Sequence, residues 1–204
     1  MTILALDTTS DSGSLAVRKD GQTLAELALH SAEGSAHLIF PAIEETLRLA
    51  QVSLADIDCF AAACGPGSFT GVRVGLTVIK GLAEAAGKLV AGISNLRALS
   101  RFGHGPLRAT VIDARRGDVY TAVYDAELRL VSEEVVLPRV VWLEKAAEHP
   151  EYEIVSQDGD WRDLASAVAY CAELDGPAKW QSPLTLDANY VRRSDPQMFW
   201  KDTR

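Results

Sequence analysis

Cysteine and histidine, which redox and metal chemistry draw on, are scarce in this 204-residue sequence. The three cysteines, Cys59, Cys64 and Cys171, are scattered and form neither a disulfide framework nor a zinc pattern. They read as reduced, buried thiols of a cytoplasmic protein. The four histidines are His30, His37, His104 and His149. A helical metal pair needs His at i and i+4, and His37 has Pro41 there. No Gly-x-Ser-x-Gly elbow and no His-Glu-x-x-His is present, so a hydrolase has no local support. No run approaches the roughly 18 apolar residues of a membrane span. The opening Met-Thr-Ile-Leu-Ala-Leu-Asp has no basic region, which speaks against a signal peptide. A basic excess is also missing: the net charge is -8, and both halves hold more acids than bases. Binding to nucleic acid by counterion release needs the opposite balance. If a nucleic acid is involved, another chain is expected to supply most of the phosphate contacts.

The sequence does hold a clear order of elements. Residues 2–29 read as three antiparallel strands, with a polar turn from Asp7 to Ser14 and a hairpin signal at Asp20-Gly21. "SAHLIFPAIEETLRLAQVS" reads as a helix from near Ser35, with apolar residues over about 200° of its wheel, twice what one core face needs. Either its own domain sandwiches it, or one shoulder meets a partner chain. A strand through Cys59–Ala63 leads to Gly65-Pro66-Gly67 and a helix to about Ala86, capped by Ser68 or Thr70 and stopped at Gly87. Gly71 and Gly75 line up on that helix with Val78 and Leu82. Glycines inside a helix cost roughly 1 kcal/mol each, so a close neighbour is expected there. A strand at 88–94 and a short helix at 95–102 follow. "GHGPL" at 103–107 marks a boundary between lobes 1–105 and 106–204. The order then restarts: strand, polar turn, strand, turn, strand, helix near 140–148, strand near Tyr152–Ser156, and the helix "WRDLASAVAYCAEL". The tail has little periodicity and is expected to pack back or fray.

Each half opens with a strand ending in aspartate, Asp7 and Asp113. Two β-β-β-α halves of this kind suggest an α/β, two-lobed actin-like ATPase fold (ribonuclease H-like, ASKHA). Its polar turns would face a nucleotide across a cleft. The candidate residues are Asp7, Thr8, Thr9, Ser10, Asp113 and Arg116: turn amides and hydroxyls donate to phosphates, and an aspartate holds Mg²⁺ through water. Equally, both turns fit plain hairpins whose hydroxyls satisfy the backbone. The glycine loop is no Walker A, since no Gly-Lys-Ser/Thr follows, and no dinucleotide fingerprint, since Pro66 removes a donor. It fits an anion-accepting helix start or a structural strand-to-helix turn.

Four motifs in order, "ILALDTT" at 3–9, "GPGSFTGVRVG" at 65–75, "DARRGDVY" at 113–120 and "YVRR" at 190–193, closely resemble the bacterial TsaB (YeaZ) family. The resemblance implies a part in making N6-threonylcarbamoyladenosine at position 37 of tRNAs that read codons beginning with A. The related TsaD would carry the transfer chemistry, with TsaE as an ATPase joining the complex. This chain would be the non-catalytic paralogue, formerly grouped with M22 glycoproteases. Where TsaD has its His-x-x-x-His pair, this sequence reads His37 to Pro41. Pairing would run through the first two helices, in a homodimer or with TsaD, placing Leu38, Ala42, Glu45, Leu49, Gly71, Gly75, Val78 and Leu82 at the interface. The resemblance implies no metal or cofactor of its own, ATP or ADP only within the complex, indirect contact with tRNA, and no membrane. Arg192 and Arg193 fit an anion or interface contact. The alternative is an active Mg-ATP-dependent small kinase or ATPase of the same fold.

Overall fold

A computed structural model of the chain describes residues 1–10, 13–29, 38–157 and 163–191. Its first sheet is formed by β1 (Thr2–Asp7), β2 (Gly13–Lys19), β3 (Gln22–Leu29), β4 (Cys59–Ala63) and β5 (Leu89–Ile93), in the order β3-β2-β1-β4-β5. The first three strands are antiparallel, and β4 and β5 run parallel to β1. The hairpin between β2 and β3 turns at Asp20 and Gly21, both at positive φ, as a two-residue primed turn requires. The second sheet is formed by β6 (Leu107–Asp113), β7 (Asp118–Asp125), β8 (Leu130–Pro138) and β9 (Glu153–Ser156), in the order β8-β7-β6-β9. Here too the first three strands are antiparallel and the fourth is parallel to the first of them. The second sheet thus repeats the order and sense of the first four strands of the first.

The helices are α1 (Ile39–Ala50), α2 (Phe69–Ala86), α3 (Asn95–Ser100), α4 (Arg139–Ala147) and α5 (Ala165–Asp175). Strand alternation sorts the first sheet into two apolar faces. Leu4, Leu6, Leu15, Val17, Phe60 and Ala62 point to α1 and α2. Ile3, Ala5, Ala16, Cys59, Ala61 and Ala63 point to α5. The second face is mostly alanine and meets Ala165, Ala167, Ala169 and Ala172 of α5, which allows close helix-on-sheet packing. Leu96 and Leu99 of α3 pack with Ile112, Tyr124 and Val155 of the second sheet. Trp142 of α4 covers that sheet's other face at Val111 and Val119. The layers therefore run α1 and α2, first sheet, α3 and α5, second sheet, α4.

α1 buries a single stripe, Ile39, Ala42, Ile43, Thr46 and Ala50, against the first sheet. Phe40 and Leu49 lie outside it, 59% and 45% exposed. The segment after α5 packs back. Gln181 bridges to Val90, Leu186 sits against Gly92, and the Asn189 amide donates to the Cys64 carbonyl at 2.7 Å. Among the described residues no helix is long and apolar enough to cross a membrane.

Candidate functional site

The end of β1 is built around a buried carboxylate. Asp7 is 1% exposed and accepts from the Thr9 amide at 2.8 Å and the Thr9 hydroxyl at 2.6 Å. Burial pushes its carboxyl above the ordinary carboxylate range, against the pull of the two Thr9 bonds, and the charge of Asp163 adds to the rise. Thr9 Oγ1 in turn accepts from the Asn95 side-chain amide. Asn95 Oδ1 accepts from the Gly65 amide at 2.9 Å, and the Asn95 amide donates to the Gly65 carbonyl at 2.9 Å. The Ser68 amide donates to the Thr9 carbonyl at 2.7 Å. One continuous network thus ties the first turn, the Gly65-Pro66-Gly67 turn and the start of α3. Ser68 caps α2 by accepting from the Gly71 amide at 3.3 Å.

Thr8 faces α2. Its hydroxyl donates to the Gly71 carbonyl at 2.7 Å. A Cβ at Gly71 would lie 1.9 Å from the Thr8 carbonyl oxygen, and one at Gly75 would lie 2.5 Å from Thr8 Oγ1. The close neighbour expected for these glycines is therefore the chain's own β1 turn. This corrects their assignment to an intermolecular interface: Gly75 is buried and Gly71 is occupied by Thr8. Ala42 is corrected as well, since it is 8% exposed and belongs to the core. Val78 and Leu82 are half-buried on that core. Leu38 and Glu45 are half-buried, Glu45 pairs with Arg48, and Leu49 is open to solvent.

The second turn has the same local chemistry in a different setting. Asp113 Oδ1 accepts from the Arg115 amide at 3.1 Å, two residues on, as Asp7 does from Thr9. Arg115, Arg116 and Gly117 then run through left-handed backbone at φ 64°, 56° and 84°. Unlike Asp7, the Asp113 side chain is 42% exposed, with Arg139 at 3.7 Å.

Between the two turns lies a cleft of about 380 Å³. Thr9, Ser10, Pro66, Gly67, Ser68, Phe69 and Asn95 line one side, and Ile112, Asp113, Ala114, Arg115, Tyr120 and Gln157 line the other. Of the expected nucleotide residues, the fold brings Thr9, Ser10 and Asp113 to this cleft. Asp7 lies beneath Thr9, Thr8 turns to α2, and Arg116 stands outside the lining. Facing carboxylates across the cleft, as a Mg-ATP site would use, are therefore not assembled by Asp7 and Asp113. Among the described residues no three His, Cys, Asp or Glu side chains group as metal ligands.

Asn95, Phe69, Tyr120 and Gln157 were not singled out by sequence. Phe69 and Tyr120 sit inside two of the quoted motifs, which was the available signal; Asn95 and Gln157 carried none. A further polar set, outside the cleft lining, centres on Glu134. Glu134 of β8 accepts from Tyr124 Oη at 2.6 Å, from Asn189 Nδ2 at 2.6 Å and from Ser94 Oγ. Burial, then the Glu134 anion, raise the Tyr124 phenol. Cys59, Cys64 and Cys171 are free and buried, and burial raises each thiol to about 12, where it is unreactive. The residues at and around His37, and Arg192 and Arg193, lie outside the described residues.

The paired sheets, with matching strand order and a cleft between equivalent turns, define an actin-like α/β protein. The family model of TsaD, the tRNA N6-adenosine threonylcarbamoyltransferase, matches residues 29–168. A Pseudomonas aeruginosa protein described as similar to the peptidase YeaZ superposes with a TM-score of 0.76 at 27% identity, covering 94% of this chain and 99% of that one. YeaZ from Pseudomonas aeruginosa gives 0.73 at 26% identity, covering 93% and 99%. The tRNA threonylcarbamoyladenosine biosynthesis protein TsaB of Escherichia coli is 37% identical over 62% of this chain and 56% of its own length. That of Bacillus subtilis is 32% identical over 72% and 67%. The chain belongs to the TsaB (YeaZ) family. Its match spans 56% of the Escherichia coli relative.

Proposed function

We propose that this chain is a non-catalytic subunit needed to form N6-threonylcarbamoyladenosine at position 37 of tRNAs that read codons beginning with A. In this reading it scaffolds and activates a TsaD homologue, together with a TsaE homologue. The observation that carries the reading is the sealing of Asp7 under Thr9, in a member of the TsaB family. A catalytic or Mg²⁺-holding carboxylate must reach its reactants, and this one is satisfied by its own turn. Pro41 at i+4 from His37 adds to the case, because the TsaD-type histidine pair is not available here.

The outward apolar residues of α1, Phe40 and Leu49, support a partner-facing helix pair. The partner face we propose holds Leu38, Phe40, Glu45, Leu49, Val78 and Leu82. The same face serves a homodimer when the chain is alone. With a net charge of -8, the chain leaves most of the tRNA contact to other subunits, and ATP or ADP acts in the assembled complex. The working compartment is the cytoplasm.

The test is to mix purified chain with a TsaD homologue and measure mass by light scattering. Threonylcarbamoyl transfer to tRNA is then followed with the TsaE homologue and ATP present. The expected result is a heterodimer and a transfer activity that depends on this chain. No heterodimer with unchanged transfer, or transfer by this chain alone, overturns the proposal.

A further inference from the structure

Away from the cleft, two arginines converge on one aromatic ring. Tyr170 of α5 has the Arg18 guanidinium carbon 5.0 Å from its ring centroid and that of Arg101, just after α3, at 4.6 Å. A recess of about 170 Å³ opens beside them, lined by Arg18, Thr23, Arg101, Phe102, Ser166 and Tyr170. Arg18 is held in place: its Nε donates to Glu173 at 2.5 Å and its Nη2 to the Gly21 carbonyl at 2.8 Å. The other Glu173 oxygen accepts from the Gly21 amide at 2.8 Å, so this carboxylate is engaged on both sides. Among the described residues, Arg18 Nη1 reaches Thr23 Oγ1 alone, at 3.5 Å, the outer limit of a hydrogen bond. Among the described residues no carboxylate pairs with Arg101.

Arg18, Glu173 and Arg101 sum to one positive charge, in a chain whose net charge is -8. Like charges near one ring repel, and an anion in the recess that both arginines line offsets the repulsion. The donors at the recess are the two guanidiniums and the hydroxyls of Thr23 and Ser166. A tetrahedral oxyanion has enough acceptors to engage both kinds, and guanidinium forks match phosphate geometry. The volume is several times the ~30 Å³ share of a water molecule, sufficient for one such group. We propose that this recess binds a single phosphate group, carried by a small molecule. Neither the cleft nor the partner helices contribute to it.

The test uses the full chain, uniformly labelled with ¹⁵N and titrated with inorganic phosphate at constant ionic strength held by chloride. The expected result is saturable shifts of the Thr23, Ser166 and Tyr170 amides. Arg101→Ala should weaken them about tenfold, the loss of one charge-assisted donor set, and Arg101→Lys should retain part of the affinity. Arg129→Ala, an exposed cation elsewhere, should bind as the parent does. Unlabelled tRNA that leaves the phosphate shifts in place supports a small-molecule ligand; tRNA that displaces phosphate from the parent overturns that assignment in favour of a nucleic-acid backbone. No saturable shift, or equal shifts in a folded Arg101→Ala chain, overturns the site altogether.

Discussion

The Thr8 hydroxyl donates to the Gly71 carbonyl at 2.7 Å, while the Thr8 carbonyl oxygen lies 1.9 Å from where a Gly71 side chain would begin. The end of β1 and the first turn of α2 are thus locked together, and no side chain fits between them. Gly71→Ala is expected to destabilise the chain by about 2–4 kcal/mol, since backbone must move on one side. Gly81 is the control: it is exposed on the same helix, with nothing within 4 Å of its would-be Cβ. Gly81→Ala is expected to stabilise by about 0.5–1 kcal/mol through helix propensity. Urea unfolding of the two variants should move in opposite directions.

Leu49 and Ala42 lie seven residues, about two helical turns, apart on α1 but answer to different neighbours. Leu49→Glu should leave the isolated chain within about 0.5 kcal/mol of the parent, because the side chain is already in water. It should weaken assembly with the partner roughly tenfold or more if this is the docking face. Ala42→Arg should unfold the chain or cost more than about 3 kcal/mol, by placing a charge in the core. Circular dichroism melts separate the two. A melted Leu49→Glu would place that residue in the core instead.

Burial raises the Asp7 carboxyl above its unfolded value of 3.8. The folded state then holds a proton more tightly than the unfolded chain does. Its contribution to stability is fully present below pH 3.8 and is lost as pH rises through the folded value. Asp7→Asn keeps the shape and removes the titration. The variant should gain stability relative to the parent as pH rises from 4 toward 7. Urea midpoints across that range check the sign, and a gap that is constant or shrinks with pH contradicts it.

Glu134 joins Tyr124, Ser94 and Asn189, so it ties the second sheet to the returning segment and to the residue between β5 and α3. Glu134→Ala should cost about 1–3 kcal/mol by leaving the buried Tyr124 hydroxyl and two half-buried donors without this acceptor. It should also speed hydrogen exchange at the Asn189 amide, whose acceptor is the Cys64 carbonyl. Unchanged exchange would show that Glu134 does not hold this segment.

Much of the architecture could be read before the structure. The short apolar run Ile3–Leu6, the Asp20-Gly21 turn and the Gly87 stop are local signals, and each element formed where its chemistry indicated. The paired Asp7 and Asp113 turns were legible as a duplication, because an Asx turn is made by neighbours in sequence. The cleft itself was only half legible: Thr9, Ser10 and Asp113 reach it, while Asn95 and Gln157 arrive from elements with no motif around them.

Periodicity along a helix tells which residues share a side; it carries no information about what will lie against that side. Gly71 and Gly75 form a small-residue stripe in any reading, yet only the fold placed Thr8 of the same chain upon it. Likewise, an aspartate after a strand announces a turn, and only the packing of Thr9 and Asn95 above Asp7 decided that this one is shut away while Asp113 stays open. Local preferences arise from bonds within a few residues, whereas burial and access arise from neighbours brought together across the chain, as Asn95 is to Thr9 over 86 positions.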